Sequence, residues 1–292
     1  MKILTCMYGG EHGYTALKIA SQIARATGGA LTVIYVVEKL PERFRTSFHY
    51  TIVEGGKTLA DLLHGLPFLK EKIYKRVDEI TEEYGLKAEK KMVAGKTSDV
   101  ILEESEKGYD LVVVGSAGMS GIERFLYGSV SYEVAEYANV PVLVVKKDVS
   151  LDRILVCTDG SESAEEAEFL AGSLAKALGA EVTLLSVAPE YIEPEEAERC
   201  DLVGKRMLKD VFGIEAEPLC IAGKGVKSVR EAILKEAPGY DLIVVGSRGL
   251  SKLQRVKMGH VSLAVKEKAE TNVLIVRNCS LYREWKEKQE AS

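Results

Sequence analysis

The chain contains two copies of one sequence pattern, and this internal repeat constrains its fold more than any other feature. Residues 3–11 (ILTCMYGGE) match residues 154–162 (ILVCTDGSE) at an offset of 151 positions. Residues 108–116 (GYDLVVVGS) match residues 239–247 (GYDLIVVGS) at an offset of 131 positions. The first copy is therefore about 20 residues longer than the second, and the extra length falls within residues 39–68.

Each copy alternates short apolar runs with amphipathic segments. The runs are nearly continuous in Val, Ile and Leu, which is typical of strands that are covered by helices on both faces. In the second copy one apolar helical stripe consists of Ala167, Leu170, Ala171, Leu174 and Leu178. Alternating strands and helices indicate an α/β fold, and we predict two doubly wound, mostly parallel five-stranded sheets.

The repeat also predicts the domain organisation. We assign residues 1–148 to a first domain, residues 149–282 to a second domain and residues 283–292 to a helical C-terminal tail. The last strand of each copy, residues 140–145 and 273–276, is expected at a sheet edge, where apolar strands invite pairing. Pairing of these two edges would make the chain an intramolecular pseudo-dimer, and such chains could also associate as a homodimer.

Composition argues against several classes of protein. The 292 residues carry a formal net charge of −5, so the broad basic field that nucleic acid requires is missing. The five cysteines form no C-x-x-C pair, so we expect no metal site and place Cys6 and Cys157 in the core. No run approaches the roughly 18 apolar residues of a membrane-spanning helix, and the apolar start is too short for a signal peptide. A cytoplasmic protein is therefore expected.

A glycine motif follows the fourth strand of each copy. The spacing G-x2-G-x9-G occurs at Gly115, Gly118 and Gly128 and again at Gly246, Gly249 and Gly259. Glycines after a strand allow the backbone to turn tightly and approach an anion, and the last glycine opens a helix whose dipole favours phosphate. In the first copy the hydroxyl of Ser129 can donate to a phosphate oxygen. The alternative is that these glycines only form tight turns and helix caps.

The two copies differ at the remaining positions of this pattern. Asp159 ends the first strand of the second copy, where a carboxylate can accept a hydrogen bond from a ribose hydroxyl or an adenine amino group. The alternative role for this aspartate is a helix N-cap. The first copy has Tyr8 at the matching position, and a phenol is poorly suited to the acceptor role. The second copy has His260 where the first has Ser129. Arg248 could neutralise phosphate charge or belong to a solvated loop.

The segments 154–163, 246–262 and 115–131 make the chain similar to the universal stress protein family over nearly its whole length, as a tandem of two family domains. The resemblance implies Rossmann-like domains of the adenine nucleotide alpha hydrolase type, each with an ATP-type site. It places Asp159 at the adenosine and the backbone near Val187 at the adenine edge.

The same resemblance assigns residues to the phosphates and to a first-half site. In the second half it implies contacts from Gly246, Gly249 and Gly259, with Ser262 nearby. In the first half the matching residues are Val36, Gly115, Gly118, Gly128, Ser129 and Ser131. Because Tyr8 departs from the family pattern, the second half is expected to bind adenosine better.

These observations predict a sensor or regulator of the stress response that binds ATP, ADP or AMP and has no catalytic residues. Mg²⁺ would accompany a triphosphate and be held mainly by phosphate oxygens. If His260 crowds the distal phosphates, AMP or ADP would be held as well as ATP. The alternatives are a slow ATPase or phosphotransferase and a non-binding interaction protein with degenerate sites, although a G-x-S-x-G motif and a Walker A lysine are missing. The segment 41–69 is expected to form a lid, a docking surface or a helical excursion packed on its own domain.

Overall fold

The protein is described by a computed structural model that covers residues 1–7, 11–38, 59–116, 129–188, 194–222, 228–249 and 258–291. The first half contains β1 (Lys2–Met7), α1 (Glu11–Thr27), β2 (Ala30–Glu38), α2 (Leu59–Glu83), β3 (Glu89–Gly95), α3 (Thr97–Ser105), β4 (Leu111–Gly115), α4 (Ser129–Tyr137) and β5 (Val142–Val145). The second half contains β6 (Arg153–Thr158), α5 (Glu162–Leu178), β7 (Glu181–Ala188), α6 (Pro194–Met207), β8 (Glu217–Ala222), α7 (Val229–Glu236), β9 (Leu242–Gly246), α8 (His260–Lys268), β10 (Asn272–Val276) and α9 (Ser280–Glu290). A π-helical turn, Leu208–Phe212, follows α6, and a 3₁₀ turn, Ala237–Gly239, follows α7.

The strands form one ten-stranded sheet in the order β3-β2-β1-β4-β5-β10-β9-β6-β7-β8. Strand pairs within each half are parallel, whereas β5 and β10 pair antiparallel at the junction. Each half is thus a doubly wound five-stranded sheet, and the predicted α/β class and pseudo-dimer through the last strands are confirmed. The strand order reverses between β1 and β4 and again between β6 and β9, which creates two switch points.

The junction is centred on a pair of equivalent residues. Leu143 of β5 pairs with Leu274 of β10, its own counterpart 131 positions later. The pairs on either side are Val142 with Ile275 and Val144 with Val273. The offset of 131 positions makes Val142 the counterpart of Val273 and Val144 the counterpart of Ile275, so it relates the two pairs to each other. A pseudo-twofold axis therefore passes through the central leucine pair, as in an isologous interface between two subunits.

Apolar cores cover both faces of the sheet and continue across the junction. One face packs against α1, α2, α5 and α9, and the other packs against α3, α4, α7 and α8. The predicted stripe on α5 is confirmed, because its first four members are fully buried and Leu178 packs at the edge of the core. Cys6 is buried in β1 as expected, whereas Cys157 at the end of β6 is only partly buried.

The repeated GYD segment aligns the strands of each half. Asp110 Oδ2 accepts a hydrogen bond from the backbone N–H of Lys2 at 2.7 Å, and Asp241 Oδ2 accepts one from Arg153 at 2.9 Å. Lys2 and Arg153 are the first residues of β1 and β6. The two aspartates therefore fix where the first strand of each half begins, at the sheet edge opposite to the switch points.

A guanidinium from the second half caps a helix of the first half. Arg277 follows β10 and donates hydrogen bonds to the carbonyl oxygens of Ala135, Glu136 and Ala138, at 2.6 to 3.1 Å. These carbonyls end α4, where backbone acceptors lack partners within the helix and the dipole favours a cation.

The reverse contact has the same design. Lys146 follows β5, and its Nζ donates to the carbonyl oxygen of Lys266 at 2.6 Å and to that of Ala269, at the end of α8. Lys146 and Arg277 occupy matching positions of the repeat, so each half supplies one cation to the other half. We call this arrangement the reciprocal helix caps.

The C-terminal helix α9 docks on its own half. Trp285 and Tyr282 lie against Phe169 of α5, with ring centroids 5.3 and 5.5 Å from that of Phe169. The hydroxyl of Tyr282 donates to Glu165 Oε2 at 2.7 Å. The tail expected from residue 283 is the distal part of this helix. Of the predicted insertion at residues 41–69, positions 41–58 lie outside the described residues and the rest enters α2.

Candidate functional site

Asp159 and Val187 occupy adjacent positions at the carboxyl edge of the second-half sheet. Thr158, the last residue of β6, is the register partner of Ser186 in β7. Asp159 follows Thr158, and Val187 follows Ser186. The structure therefore brings together the two residues that the family resemblance assigns to adenosine.

The turn into α5 fixes the carboxylate of Asp159. Gly160 has a φ of 70°, a left-handed conformation that favours glycine. The N-cap of α5 is Ser161, whose hydroxyl accepts a hydrogen bond from the backbone N–H of Ala164 at 3.2 Å. Asp159 Oδ1 accepts one from the N–H of Ser161 at 3.1 Å. The capping role thus belongs to Ser161, and the Asp159 side chain stands exposed at the sheet edge.

The glycine loop after β9 passes directly against this carboxylate. A β-carbon built on Gly249 would lie 2.5 Å from Asp159 Oδ2, well inside van der Waals contact. The loop is also tied to the start of α5, because the backbone N–H of Arg248 donates to Ser163 Oγ at 3.3 Å. Asp159, Arg248 and Gly249 are therefore neighbours, although about 90 residues of sequence separate the aspartate from the loop.

The first glycine of each motif has a packing role. A β-carbon on Gly246 would lie 2.6 Å from the carbonyl oxygen of Ser163, and one on Gly115 would lie 2.5 Å from that of His12. Both glycines end a strand where the first turn of a helix presses against it. Gly246 and Gly115 lie beside their loops, and the close approach of the helix explains why each position is a glycine.

The start of α8 lies beside the same loop. The backbone N–H of Gly259 donates to the carbonyl oxygen of Ser247 at 2.8 Å, and a β-carbon on Gly259 would lie 3.7 Å from Arg248 Cα. His260 is the exposed first residue of the helix. The free N–H groups and the positive dipole end at the N-terminus of α8 therefore lie close to Arg248. Together they make this corner suitable for an anion.

Ser262 and Ser131 are both buried. The hydroxyl of Ser262 donates to the carbonyl oxygen of Gly246 at 2.6 Å and so ties α8 to the end of β9. Ser131 occupies the matching position on α4 and is also buried. Ser262 therefore supports the loop from behind.

The first-half site is described only in part. Val36 is buried in β2 and follows Tyr35, the register partner of Met7. Gly118, Gly128 and Tyr8 lie outside the described residues, as does the side chain of Ser129, whose backbone begins α4. The predictions for these four positions stay predictions.

Two buried carboxylates that the sequence pattern did not predict lie behind Asp159 and Val187. Thr158 Oγ1 donates to Glu168 Oε1 at 2.5 Å, and Ser186 Oγ donates to Asp201 Oδ2 at 2.8 Å. Burial raises the pKa of Glu168 to about 7. The available signal was a glutamate among the alanines and leucines of α5 that face the sheet.

The described residues also bear on two other classes of site, metal centres and membrane spans. Among the described side chains, no group of three or more His, Cys, Asp or Glu is arranged to hold a metal ion. Within the same ranges, no helix has both the length and the apolar character that crossing a bilayer requires.

Comparison with known proteins agrees with this architecture. The sequence pattern of the Universal stress protein family matches residues 1–146 and again residues 150–277. A universal stress protein of Methanocaldococcus jannaschii is 36% identical over 150 residues, which cover 50% of this chain and 82% of that protein. A universal stress protein of Synechocystis is 25% identical over 297 residues, which cover 94% of this chain and 99% of that protein.

A solved structure shows the same fold. The crystal structure of a universal stress protein from Archaeoglobus fulgidus superposes with a TM-score of 0.71 at 22% identity, covering 94% of this chain and 98% of that chain. The two family matches together span nearly all of both halves. The chain therefore belongs to the universal stress protein family, as a tandem of two family domains.

Proposed function

We propose that the chain binds an adenine nucleotide at the carboxyl edge of its second-half sheet and acts as a nucleotide-responsive regulator of the stress response. The observation that carries the proposal is the approach of Gly249 to the Asp159 carboxylate, where a β-carbon would lie 2.5 Å from Oδ2. This approach brings the Asp159 carboxylate, which suits a ribose, next to the loop after β9, which suits phosphates.

The two ends of the site match the two ends of a nucleotide. At one end the exposed carboxylate of Asp159 can accept a hydrogen bond from a ribose hydroxyl, and the backbone near Val187 can pair with the adenine edge. At the other end Arg248, Gly249 and the N-terminus of α8 supply positive charge and N–H donors. The site lies at a switch point of the strand order, where open α/β sheets bind ligands.

Binding rather than turnover is the proposed activity. Phosphoryl transfer needs a positioned nucleophile and concentrated positive charge at the transferred group. Among the described residues, the phosphate end offers one arginine, backbone N–H groups and His260. ATP, ADP and AMP are all candidate ligands, and Mg²⁺ would arrive with a triphosphate and be held mainly by its oxygens.

The nucleotide carried by freshly purified protein tests the proposal. Denaturation followed by ion-exchange chromatography is expected to release an adenine nucleotide from the wild type and little from Asp159→Ala. The matched control Asp152→Ala alters the exposed aspartate just before β6, at the opposite end of that strand, and is expected to retain the nucleotide.

Two results would contradict the proposal. If the wild-type protein carries no nucleotide and binds none at millimolar ATP, the remaining alternative is a non-binding interaction protein with degenerate sites. Steady phosphate release from Mg²⁺-ATP that Asp159→Ala abolishes would instead favour the ATPase.

A further inference from the structure

Four polar side chains form a buried cluster behind the carboxyl ends of β6 and β7. Thr158 and Ser186 are register partners, and their hydroxyls donate to Glu168 of α5 and Asp201 of α6, respectively. All four residues are at least nine-tenths buried. Each hydroxyl belongs to the residue just before one of the two proposed adenosine contacts, so the cluster supports that end of the site directly.

The cluster encloses Glu168 tightly. A β-carbon on Gly204 of α6 would lie 2.8 Å from Glu168 Cδ, so α6 packs directly on the carboxyl group. Within the described part of the chain, Glu168 Oε2 has no hydrogen-bond partner. An ionised carboxylate in such a place is costly unless a positive charge compensates it.

Within the described part of the chain, the charges beside Glu168 do not provide that compensation. The charged groups that act on Glu168 there are Glu165 on the same helix, Asp159 after β6 and Asp201 on α6, and all three are carboxylates. Burial, with these repulsions added, raises the pKa of Glu168 to about 7. The proton on this group is therefore lost near neutral pH rather than near pH 4.5, the ordinary pKa of a glutamate.

The matching positions of the first half carry other side chains. The offset of 151 positions places Met7 at the position of Thr158, Tyr35 at that of Ser186 and Leu17 at that of Glu168. The polar cluster thus accompanies the half that carries Asp159.

We infer that Glu168 is a positioning residue for nucleotide binding by the second half, and that it holds the adenosine end in place only while its carboxyl group is protonated. The inference rests on the proposed function. When Glu168 ionises, its charge faces Asp201 and Asp159, and the cluster must open to water or rearrange. Since Thr158 and Ser186 adjoin Asp159 and Val187, both proposed adenosine contacts shift. Nucleotide affinity therefore falls as the pH rises through about 7.

Calorimetric titration with ATP across about pH 6 to 8.5 tests this inference in the intact chain. Wild-type affinity is expected to fall about tenfold over that range, the change that corresponds to a coupling of one pKa unit. Glu168→Gln removes the ionisable group and is expected to show a flatter pH profile. ATP and His260 are the same in every titration, so the difference between variants isolates Glu168.

A matched control and a second variant complete the experiment. Glu104→Gln changes a buried carboxylate of the first half, which is paired with Lys91 and Lys107, and is expected to keep the wild-type profile. Asp201→Asn removes a negative charge that raises the pKa of Glu168. It is therefore expected to lower that pKa and to move the midpoint of the affinity loss to lower pH.

The outcomes separate the inference from the proposed function. If Glu168→Gln keeps the wild-type pH profile, or if Asp201→Asn leaves the midpoint unmoved, the inference is overturned and the nucleotide site stands. If the wild type binds no ATP at any pH, the proposed function fails and the inference fails with it. Should Glu168→Gln not fold, the midpoint of Asp201→Asn still decides, because a purely structural role would not move it.

Discussion

Asp159 and Gly249 meet across the carboxyl edge of the second-half sheet, so closely that a β-carbon on the glycine would lie 2.5 Å from Oδ2 of the aspartate. Asp159 follows β6, and Gly249 belongs to the loop after β9, its neighbour in the sheet. This approach forms the corner in which we place the ribose and the phosphates. It also makes the proposed site sensitive to a single added methyl group.

Gly249→Ala is predicted to weaken ATP binding by at least about tenfold, or 1.4 kcal/mol, because the new β-carbon must displace the Asp159 carboxylate or the loop. Isothermal titration calorimetry measures the effect. Gly239→Ala is the matched control, because a β-carbon there meets nothing within 4 Å and should leave affinity unchanged. Equal affinities for the two variants would show that Gly249 is not at the site.

His260→Ser is predicted to increase the preference for ATP over AMP. His260 is the exposed first residue of α8, where a smaller hydroxyl side chain would leave more room for the distal phosphates and could donate to them. Competition titrations with ATP, ADP and AMP measure the preference. A wild-type protein that already binds ATP tenfold more tightly than AMP would contradict the idea that His260 crowds the site.

Arg277→Met is predicted to lower the free energy of unfolding by about 2–4 kcal/mol, because it leaves the carbonyls at the end of α4 without their cationic donor. Urea denaturation measures the loss. Arg283→Met, in the exposed part of α9, is the control and should change stability by less than about 0.5 kcal/mol. A similar small effect for Arg277→Met would mean that the reciprocal helix caps do not hold the halves together.

Lys266→Met is predicted to stabilise the protein by about 1–3 kcal/mol at pH 7. Lys266 is 1% exposed, its Nζ lies 3.6 Å from the centroid of the Tyr132 ring, and Nζ has no hydrogen-bond partner among the described residues. Burial lowers its pKa from 10.5 to about 8.

The stability advantage of Lys266→Met over the wild type is expected to decrease as the pH rises. Between about pH 8 and 10.5 the unfolded chain binds more protons at Lys266 than the folded chain does. The free energy of unfolding of the wild type therefore rises relative to that of Lys266→Met as the pH increases. The advantage of Lys266→Met should be complete below about pH 8 and vanish above about pH 10.5. Urea midpoints at pH 7 and pH 10, with the exposed Lys268→Met as control, measure it. Destabilisation at pH 7 would show that the contact with Tyr132 outweighs the cost of burying the charge.

Much of the fold follows from local pattern. The alternating apolar runs predict the parallel strands, and the apolar last strands predict the junction, where Leu143 pairs with Leu274. These features depend on hydrophobic burial, which leaves a periodic signal in the sequence. The adjacency of Asp159 and Val187 follows from the same logic, because parallel strands end at one edge.

The remaining features depend on contacts that leave no such signal. In the sequence, Lys146 and Arg277 resemble solvated charged residues after a strand. Their partners are backbone carbonyls of the other half, which no residue type marks. The role of Glu168 depends on the helix that covers it. Whether Asp159 or Ser161 caps α5 depends on the left-handed turn at Gly160, a difference of two positions that residue preferences do not resolve.

Calorimetric titration of ATP into the wild type and into Asp159→Ala, at one pH and with stoichiometry, determines whether the nucleotide binds at the second-half site. We expect Asp159→Ala to bind ATP at least about tenfold more weakly than the wild type, while Asp152→Ala binds as the wild type does. Unchanged affinity and stoichiometry in Asp159→Ala would contradict it, because the nucleotide would then bind elsewhere in the chain.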